Sequence, residues 1–542
     1  MKNRFALLLT LLLAASVATA AERPRLVVNV VVSGARMVDL ERYEEGLRAG
    51  GFEQLLSGRS YPYAYYSFAP STPSALAALS TGAAPSLSGV IGSGWWNNNN
   101  SSEMLVVEDA KCSTFNADNA ASRVSNANLT LETIGDVVVR EIKGGKSVSV
   151  AADASSAIVL GGLHPTEVWW IDSLGGRWTT STKYKTTLPR WVDKYNASGF
   201  WRSRMGEEWV LSRTDGGYVN EHSLVAKPYG YKPPRNERDR RPTAKDVREL
   251  LYAPISNDMV ADFAKEAIIY NRLGGDKATD VLNVCFDSPR RIAARYGLRS
   301  REVEDMYYRL DEALADLMTF ASAQASGKVL FVFSTDGGVR EVESDERVFN
   351  TAQARFLVNS FLSATYGKGD WVLGYRDGGL WLNHTLVFSH GLDLAALQRQ
   401  VGTFMLGLRG ASHAFTASEM MDGSVKEGVA AVVREGFYPK RSADIHLVLM
   451  PDWCEVAGEG TVPKVTTSQP YAPYRRAMVA LSGMGVEQGV SIRERVDVRS
   501  LVVTLAEMLG VEAPLGAEGE SLVQNSKLIF GGFFQKVVKR RV

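Results

Sequence analysis

Residues 26–36 read Leu26-Val27-Val28-Asn29-Val30-Val31-Val32-Ser33-Gly34-Ala35-Arg36, a β-branched run that stops at a turn of small residues. Such a run, with almost no polar alternation, is the pattern of a strand buried on both faces, as in a parallel sheet covered by helices. The same character returns at Ser147–Ala151 and at residues 281–286, 329–333, 445–450 and 478–482. Amphipathic segments lie between these runs. The clearest spans 301–321, where Val303, Tyr307, Leu310, Leu314 and Leu317 recur at helical spacing. Strands alternating with helices predict an α/β protein: a doubly wound, mostly parallel central sheet with helices on both faces.

The 542-residue chain opens with Lys2 and Arg4, an apolar run over 5–17 and the small-x-small triplet Ala18-Thr19-Ala20. That order predicts a signal peptide over residues 1–20, cleaved to leave an exported chain from Ala21. The run is shorter than the ~20 apolar residues that cross a bilayer, and no later run is longer, so no transmembrane segment is expected. No cysteine follows the signal in the lipoprotein position. Cys112, Cys285 and Cys454 are far apart, which argues against a disulfide framework or thiolate metal site and leaves one bridge open. With 61 Lys and Arg against 60 Asp and Glu, bulk charge points to neither nucleic acid nor anionic lipid. Residues 21–542 are expected to form a single domain with surface insertions around 95–130 and 200–248. Within them, 95–102 with its Asn run reads as an irregular loop. Residues 233–242, where Arg235, Arg238, Arg240 and Arg241 mix with acids and prolines, read as a solvated excursion.

Short motifs follow the opening strand in a fixed order. Ser71-Thr72-Pro73-Ser74 leads through a small-residue helix to Ser80-Thr81-Gly82. Gly89-Val90-Ile91-Gly92-Ser93-Gly94-Trp95, Thr133-Ile134-Gly135-Asp136 and Ala152-Asp153-Ala154 come next. Then follow residues 286–297 leading into Glu302-Val303-Glu304-Asp305, Ser334-Thr335-Asp336-Gly337-Gly338, Ser442-Ala443-Asp444-Ile445, Thr467-Ser468-Gln469 and a closing helix after Asp497. In this order and spacing the chain resembles the alkaline phosphatase superfamily, above all the phosphate-irrepressible alkaline phosphatases of the bacterial periplasm. The resemblance covers nearly the whole mature chain. It implies an alkaline-phosphatase-like fold, a place in the periplasm or outer envelope, and two zinc ions, one activating a Thr or Ser nucleophile and one stabilising the leaving oxygen.

The resemblance also implies six Asp or His ligands at strand ends, since such zinc sites take carboxylate and imidazole donors. The Asp after the first strand falls on Ser33. The Asp-x-x-x-His pair falls on Arg290 and Ala294, the adjacent Asp-His on Asp336-Gly337, and the last His on Gln469, so Asp336 alone is retained. The Asn for a phosphate oxygen falls on Ser93 and the Lys-x-Arg clamp on Ala152 and Ala154, changes that remove donors for transition-state oxygens. Thr72 falls on the nucleophile; the alternative is a cap for a helix starting at Pro73, because Thr caps well and Pro suits a first turn. His164, His222, His384, His390, His413 and His446 fall on no ligand position, although His384 and His390 lie close in sequence. Asp287 with Asp336 leaves a weak single-cation site open.

Carboxylates crowded without cations repel. Arg290, with Arg291 or Arg295, is therefore expected to fill the emptied pocket and pair with Asp336; the alternative is that these arginines face solvent. Arginine forks also hold phosphate or carboxylate without metal, which makes an anionic ligand, such as a phosphorylated or sulfated glycan, or an envelope protein the expected partner. Trp95 and Trp96 are either rim or core aromatics. Two readings follow. In the first the chain is a pseudophosphatase without cofactor, retained for binding, scaffolding or envelope assembly. In the second it is an active phosphomonoesterase or phosphodiesterase using Thr72 with zinc in an altered metal set. The ligand census favours the first, and no Gly-x-Ser-x-Gly elbow supports a metal-free hydrolase.

Overall fold

The run at 26–32 forms the middle of a large sheet. The computed structural model describes residues 22–115, 123–173, 175–198, 209–213, 217–221, 249–342, 346–458 and 462–523. The signal segment 1–20, residues 233–242, His222 and most of the 200–248 insertion lie outside them. Among the described residues the central sheet has nine strands. Their order is Val490–Ser491, Arg59–Tyr65, Arg476–Gly483, Val329–Ser334, Leu26–Val32, Asp280–Phe286, Ser147–Ala151, Glu167–Ile171 and Trp178–Thr179. Leu26–Val32 runs parallel to both neighbours, with Val30 opposite Val284 and Phe333. Ser147–Ala151 and Glu167–Ile171 continue the parallel stretch, while Arg476–Gly483 and Trp178–Thr179 enter antiparallel.

Side chains alternate across a strand, so both faces of the central strands must be covered. Leu26, Val28, Val30 and Val32 share one core with Leu282, Val284, Phe331 and Phe333, under helices Ile255–Asn271 and Arg301–Gln324. Val27 and Val31 share the other with Val281, Cys285, Leu330 and Val332, under helices Thr72–Thr81, Ala154–Gly161 and Ser500–Leu509. The expected helix over 301–321 extends to Gln324 and is capped by Ser300, whose Oγ accepts the Val303 N–H at 3.2 Å. Cys112, Cys285 and Cys454 are buried. No helix among the described residues is long and apolar enough to cross a membrane.

Two expectations are corrected. The run at 445–450 does not join the central sheet. Ile445–Leu449 belongs to a four-stranded antiparallel sheet in the order Val372–Arg376, Gly379–Leu382, Ile445–Leu449, Ala411–Thr416. Helices Thr351–Tyr366 and Leu394–Leu406 cover it, and Val358, Leu362, Trp371, Leu397 and Val401 form its own core. A five-residue apolar strand looks the same whichever sheet receives it, because periodicity reports burial and not the partner. Residues 95–102 are likewise not irregular: Gly94–Asn97 and Ser102–Leu105 pair as a hairpin. Trp95 is buried beneath the Arg441 guanidinium, 4.4 Å from the ring centre, and Trp96 packs on Trp381 at 5.1 Å, so both are packing aromatics.

The Thr133–Asp136 motif shows how a buried carboxylate holds this fold. Asp136 accepts the backbone N–H groups of Thr133, Leu163 and His164 at 2.7, 2.9 and 2.6 Å, while Thr133 caps the helix Ile134–Glu141. Asp136→Ala strips the acceptor from all three, and a buried orphan donor costs about 1–3 kcal/mol. Denaturant unfolding of this variant is expected to show a loss of about 3 kcal/mol or more.

Candidate active site

Open α/β sheets gather ligand sites at the carboxyl ends of their strands. Here the ends of Leu26–Val32, Asp280–Phe286 and Val329–Ser334 are followed by Ser33, Asp287 and Asp336. Helix Thr72–Thr81 begins against the last of these. Its cap is Ser71, in extended conformation, whose N–H is accepted by Ser74 Oγ at 2.9 Å. Thr72 is therefore the first helical residue and not the cap, and its Oγ1 is free to donate to Asp336 Oδ2 at 2.7 Å.

Asp336 is wholly buried and fully engaged. Its Oδ1 accepts the Gly34 N–H and Arg290 Nη2, each at 2.7 Å; its Oδ2 accepts Ser33 Oγ and Thr72 Oγ1, each at 2.7 Å. Ser33 Oγ in turn accepts Arg290 Nε at 3.0 Å, so one guanidinium grips both the carboxylate and the serine that hydrogen-bonds it. Burial pushes the Asp336 carboxyl upward, but the charge and hydrogen bond of Arg290, with those of Ser33 and Thr72, outweigh it and hold the group below its ordinary value.

A carboxylate offers about four lone-pair positions, and all of those on Asp336 are used. Zinc does not fit these residues: Arg290 stands 2.7 Å from Oδ1, in the approach a cation needs. Among the described residues, no three His, Cys, Asp or Glu side chains are grouped to hold a metal. The neighbouring positions are packed for other purposes. Gly337 has φ 112°, and a Cβ there would lie 2.7 Å from Pro70 Cγ, which blocks the histidine the resemblance implies. Gln469 Nε2 donates to the Trp453 carbonyl at 2.6 Å, and Ala294 packs on the core while its carbonyl accepts the Lys464 N–H at 2.8 Å. Asp287 accepts Ser156 Oγ at 2.7 Å and the Asp153 N–H at 3.1 Å. Burial, then the nearby Asp153 charge, push it up to about 6. The single-cation site weighed for Asp287 and Asp336 thus has neither carboxylate free.

The positions onto which the resemblance maps phosphate donors make other contacts. Between Ala152 and Ala154, Asp153 caps the helix Ala154–Gly161 by accepting the Ser155 N–H at 2.9 Å and pairs with Arg291 at 2.8 Å. Ser93 Oγ accepts Arg376 Nη1 at 3.0 Å, and the same guanidinium pairs with Glu103. Arg376 comes from the four-stranded sheet; with no strand expected near it, nothing in the sequence pointed there. Arg295 lies apart, paired with Glu249 at 2.8 Å and stacked 4.0 Å over the Tyr252 ring. Of the three arginines expected to bind an anion, Arg290 faces Asp336, Arg291 faces Asp153 and Arg295 faces Glu249. His384 and His390 form no joint site. His384 Nε2 meets Asp444 Oδ1 at 2.8 Å, whereas His390 packs on Trp371.

A mostly parallel sheet with a threonine at a helix start, aimed at an aspartate on a strand end, defines an alkaline-phosphatase-type α/β protein. The chain matches the type I phosphodiesterase / nucleotide pyrophosphatase family over residues 27–468 and belongs to that family. It is 26% identical over 523 residues to the calcium-transporting ATPase of Myroides odoratus, covering 92% of this chain and 94% of that one. It is 24% identical over 535 residues to the alkaline phosphatase PafA of Elizabethkingia meningoseptica, covering 95% and 96%. The crystal structure of wild-type PafA matches with a TM-score of 0.83 at 23% identity, over 93% of this chain and 99% of that chain, and shows the fold.

Removing one partner of a buried ion pair costs about 3–5 kcal/mol, because the other charge stays buried alone. Arg290→Met is expected to lose about that much in denaturant unfolding at pH 7, and adding Asp336→Asn to recover part of it. Because Asp336 is held below its ordinary 3.8, its stabilisation is present above that pH and is lost as pH falls through the lowered value. Arg290→Met should flatten this acid limb; a variant as stable as wild type would remove Arg290 from its assigned role.

Proposed function

We propose that this chain is an exported member of the alkaline phosphatase superfamily that lacks phosphatase turnover and serves as a binding, scaffold or assembly component of the bacterial periplasm or outer envelope. One observation carries the reading: the four acceptor positions of Asp336 are taken by Arg290, Gly34, Ser33 and Thr72. A threonine hydroxyl is a weak nucleophile until a base or a metal removes its proton. The Thr72 proton is directed at a carboxyl held low by Arg290, and such a group is a poor base near neutral pH. Phosphoryl transfer depends almost wholly on positioning and charge stabilisation. Ser93, Ala152 and Ala154 offer little of either, and the Ser93 hydroxyl already accepts from Arg376. Export rests on the signal-like residues 1–20.

The test is metal content of the purified mature chain, together with turnover of an aryl phosphate in excess zinc. No stoichiometric zinc and no turnover is the expected result. About two zinc ions per chain, with turnover abolished in Thr72→Ala, would establish instead the metal-dependent phosphomonoesterase or phosphodiesterase reading.

A further inference from the structure

Beyond the Arg290 pocket, the four-stranded sheet and the 463–470 segment enclose a cavity of ≈ 220 Å³, lined by Asp377, Gly378, Trp453, Glu455, Ser468 and Gln469 among others. Gln469 is 7% exposed. Its Nε2 donates to the Trp453 carbonyl at 2.6 Å, which fixes the amide's orientation, and its Oε1 is left buried with no donor. Glu455 accepts the Tyr375 hydroxyl at 2.7 Å and the Gly378 N–H at 3.0 Å, both at Oε1, leaving Oε2 with no donor among the described residues. The lining contains no Lys, Arg or His. Arg376, next to Asp377 in sequence, bonds Ser93 and Glu103; its charge and the Ser93 hydroxyl also act on Asp377, whose carboxyl is nevertheless held above its ordinary value by desolvation. His446 borders the adjoining cleft, and burial takes its pKa down to about 4, so it adds no charge at neutral pH.

The cavity is thus rich in acceptors and has no cationic side chain in its lining. We propose that it binds a group bearing a primary ammonium, held by Gln469 Oε1, Glu455 and Asp377. An ammonium is a compact charge with three donors and no acceptor, which matches three acceptors carrying two carboxyls. A phosphate is repelled by the same wall. A hydroxyl ligand satisfies Gln469 but leaves the Glu455 charge uncompensated. That lack of compensation is visible in Glu455, which burial and then Asp377 push up to about 7. Bound ammonium favours its ionised form, so affinity rises with pH through that value. The inference rests on the silent reading of the Thr72 pocket, because Gln469 stands where the resemblance places a zinc-binding histidine. The ammonium is supplied by a free amine or by a lysine of a partner protein.

Calorimetric titration of the mature chain with n-butylammonium, and with 1-butanol as its uncharged counterpart, tests this without any phosphoester, so failure here leaves the turnover result standing. Butylammonium is expected to bind at least tenfold tighter than the alcohol. Its affinity should rise roughly tenfold between pH 6 and pH 8 as Glu455 ionises, and Glu455→Gln should flatten that profile. Asp377 is exposed, so Asp377→Asn, expected to weaken butylammonium several-fold, carries the test if Glu455→Gln fails to fold. Equal affinity for the alcohol, binding of neither compound, or a pH profile and affinity untouched by the variants overturns the proposal. Tighter binding of a lysine-bearing peptide than of butylammonium assigns the group to a protein partner; the reverse order assigns it to a free amine.

Discussion

The contact between Arg290 and Asp336 is the constraint on which the carboxyl end of the sheet depends. A wholly buried carboxylate is tolerated only with charge and hydrogen bonds around it. Its four donors come from the turn after Leu26–Val32, from the first residue of Thr72–Thr81 and from the helix Ser288–Tyr296. One side chain therefore sets the mutual placement of three segments and the end of a central strand. A guanidinium supplies the cohesion a cation would supply here. It does not supply a metal ion's chemistry, since it has no vacant orbital with which to coordinate a reacting oxygen as a Lewis acid.

The rest of the pocket is consistent with that substitution. Where the superfamily places donors for a phosphate, Asp153 caps a helix and is tied to Arg291, and Ser93 is occupied by an arginine from the second sheet. Every charge near the old centre has a local partner. In the cavity beyond it Glu455 and an amide oxygen line a wall without a cationic side chain, while Asp377 is hydrogen-bonded by Ser93 and feels the Arg376 charge.

Much of the fold was legible in the sequence because the central strands are buried on both faces, so their apolar runs carry the signal without ambiguity. The strand at 445–449 carries the same signal yet sits in another sheet, a distinction that resides in pairing. The hairpin at 94–105 was hidden by its Asn-rich turn. Of the site, the identities at aligned positions could be read, and so could the arrival of an arginine at 290. What could not be read was direction: that Ser71 and not Thr72 caps the helix, that Arg295 turns to Glu249, and that Arg376 reaches Ser93. Asp377, Glu455 and Gln469 lie in three separate segments, and no local pattern announces that they meet.

Gly337 bears on whether such a site can be regained. A histidine there meets the Pro70 ring and a backbone angle that favours glycine. Exchanging Arg290 for a ligand takes the counter-charge from Asp336, and exchanging Gln469 removes one of the two side-chain donors, with Thr466 Oγ1, to the Trp453 carbonyl. Each step back toward a two-metal centre is destabilising when taken singly, and only several changes made together restore a coherent pocket. On the proposed reading the packing works as a ratchet: single substitutions toward a two-metal centre pass through less stable proteins, so the fold's own stability holds the pocket as it stands.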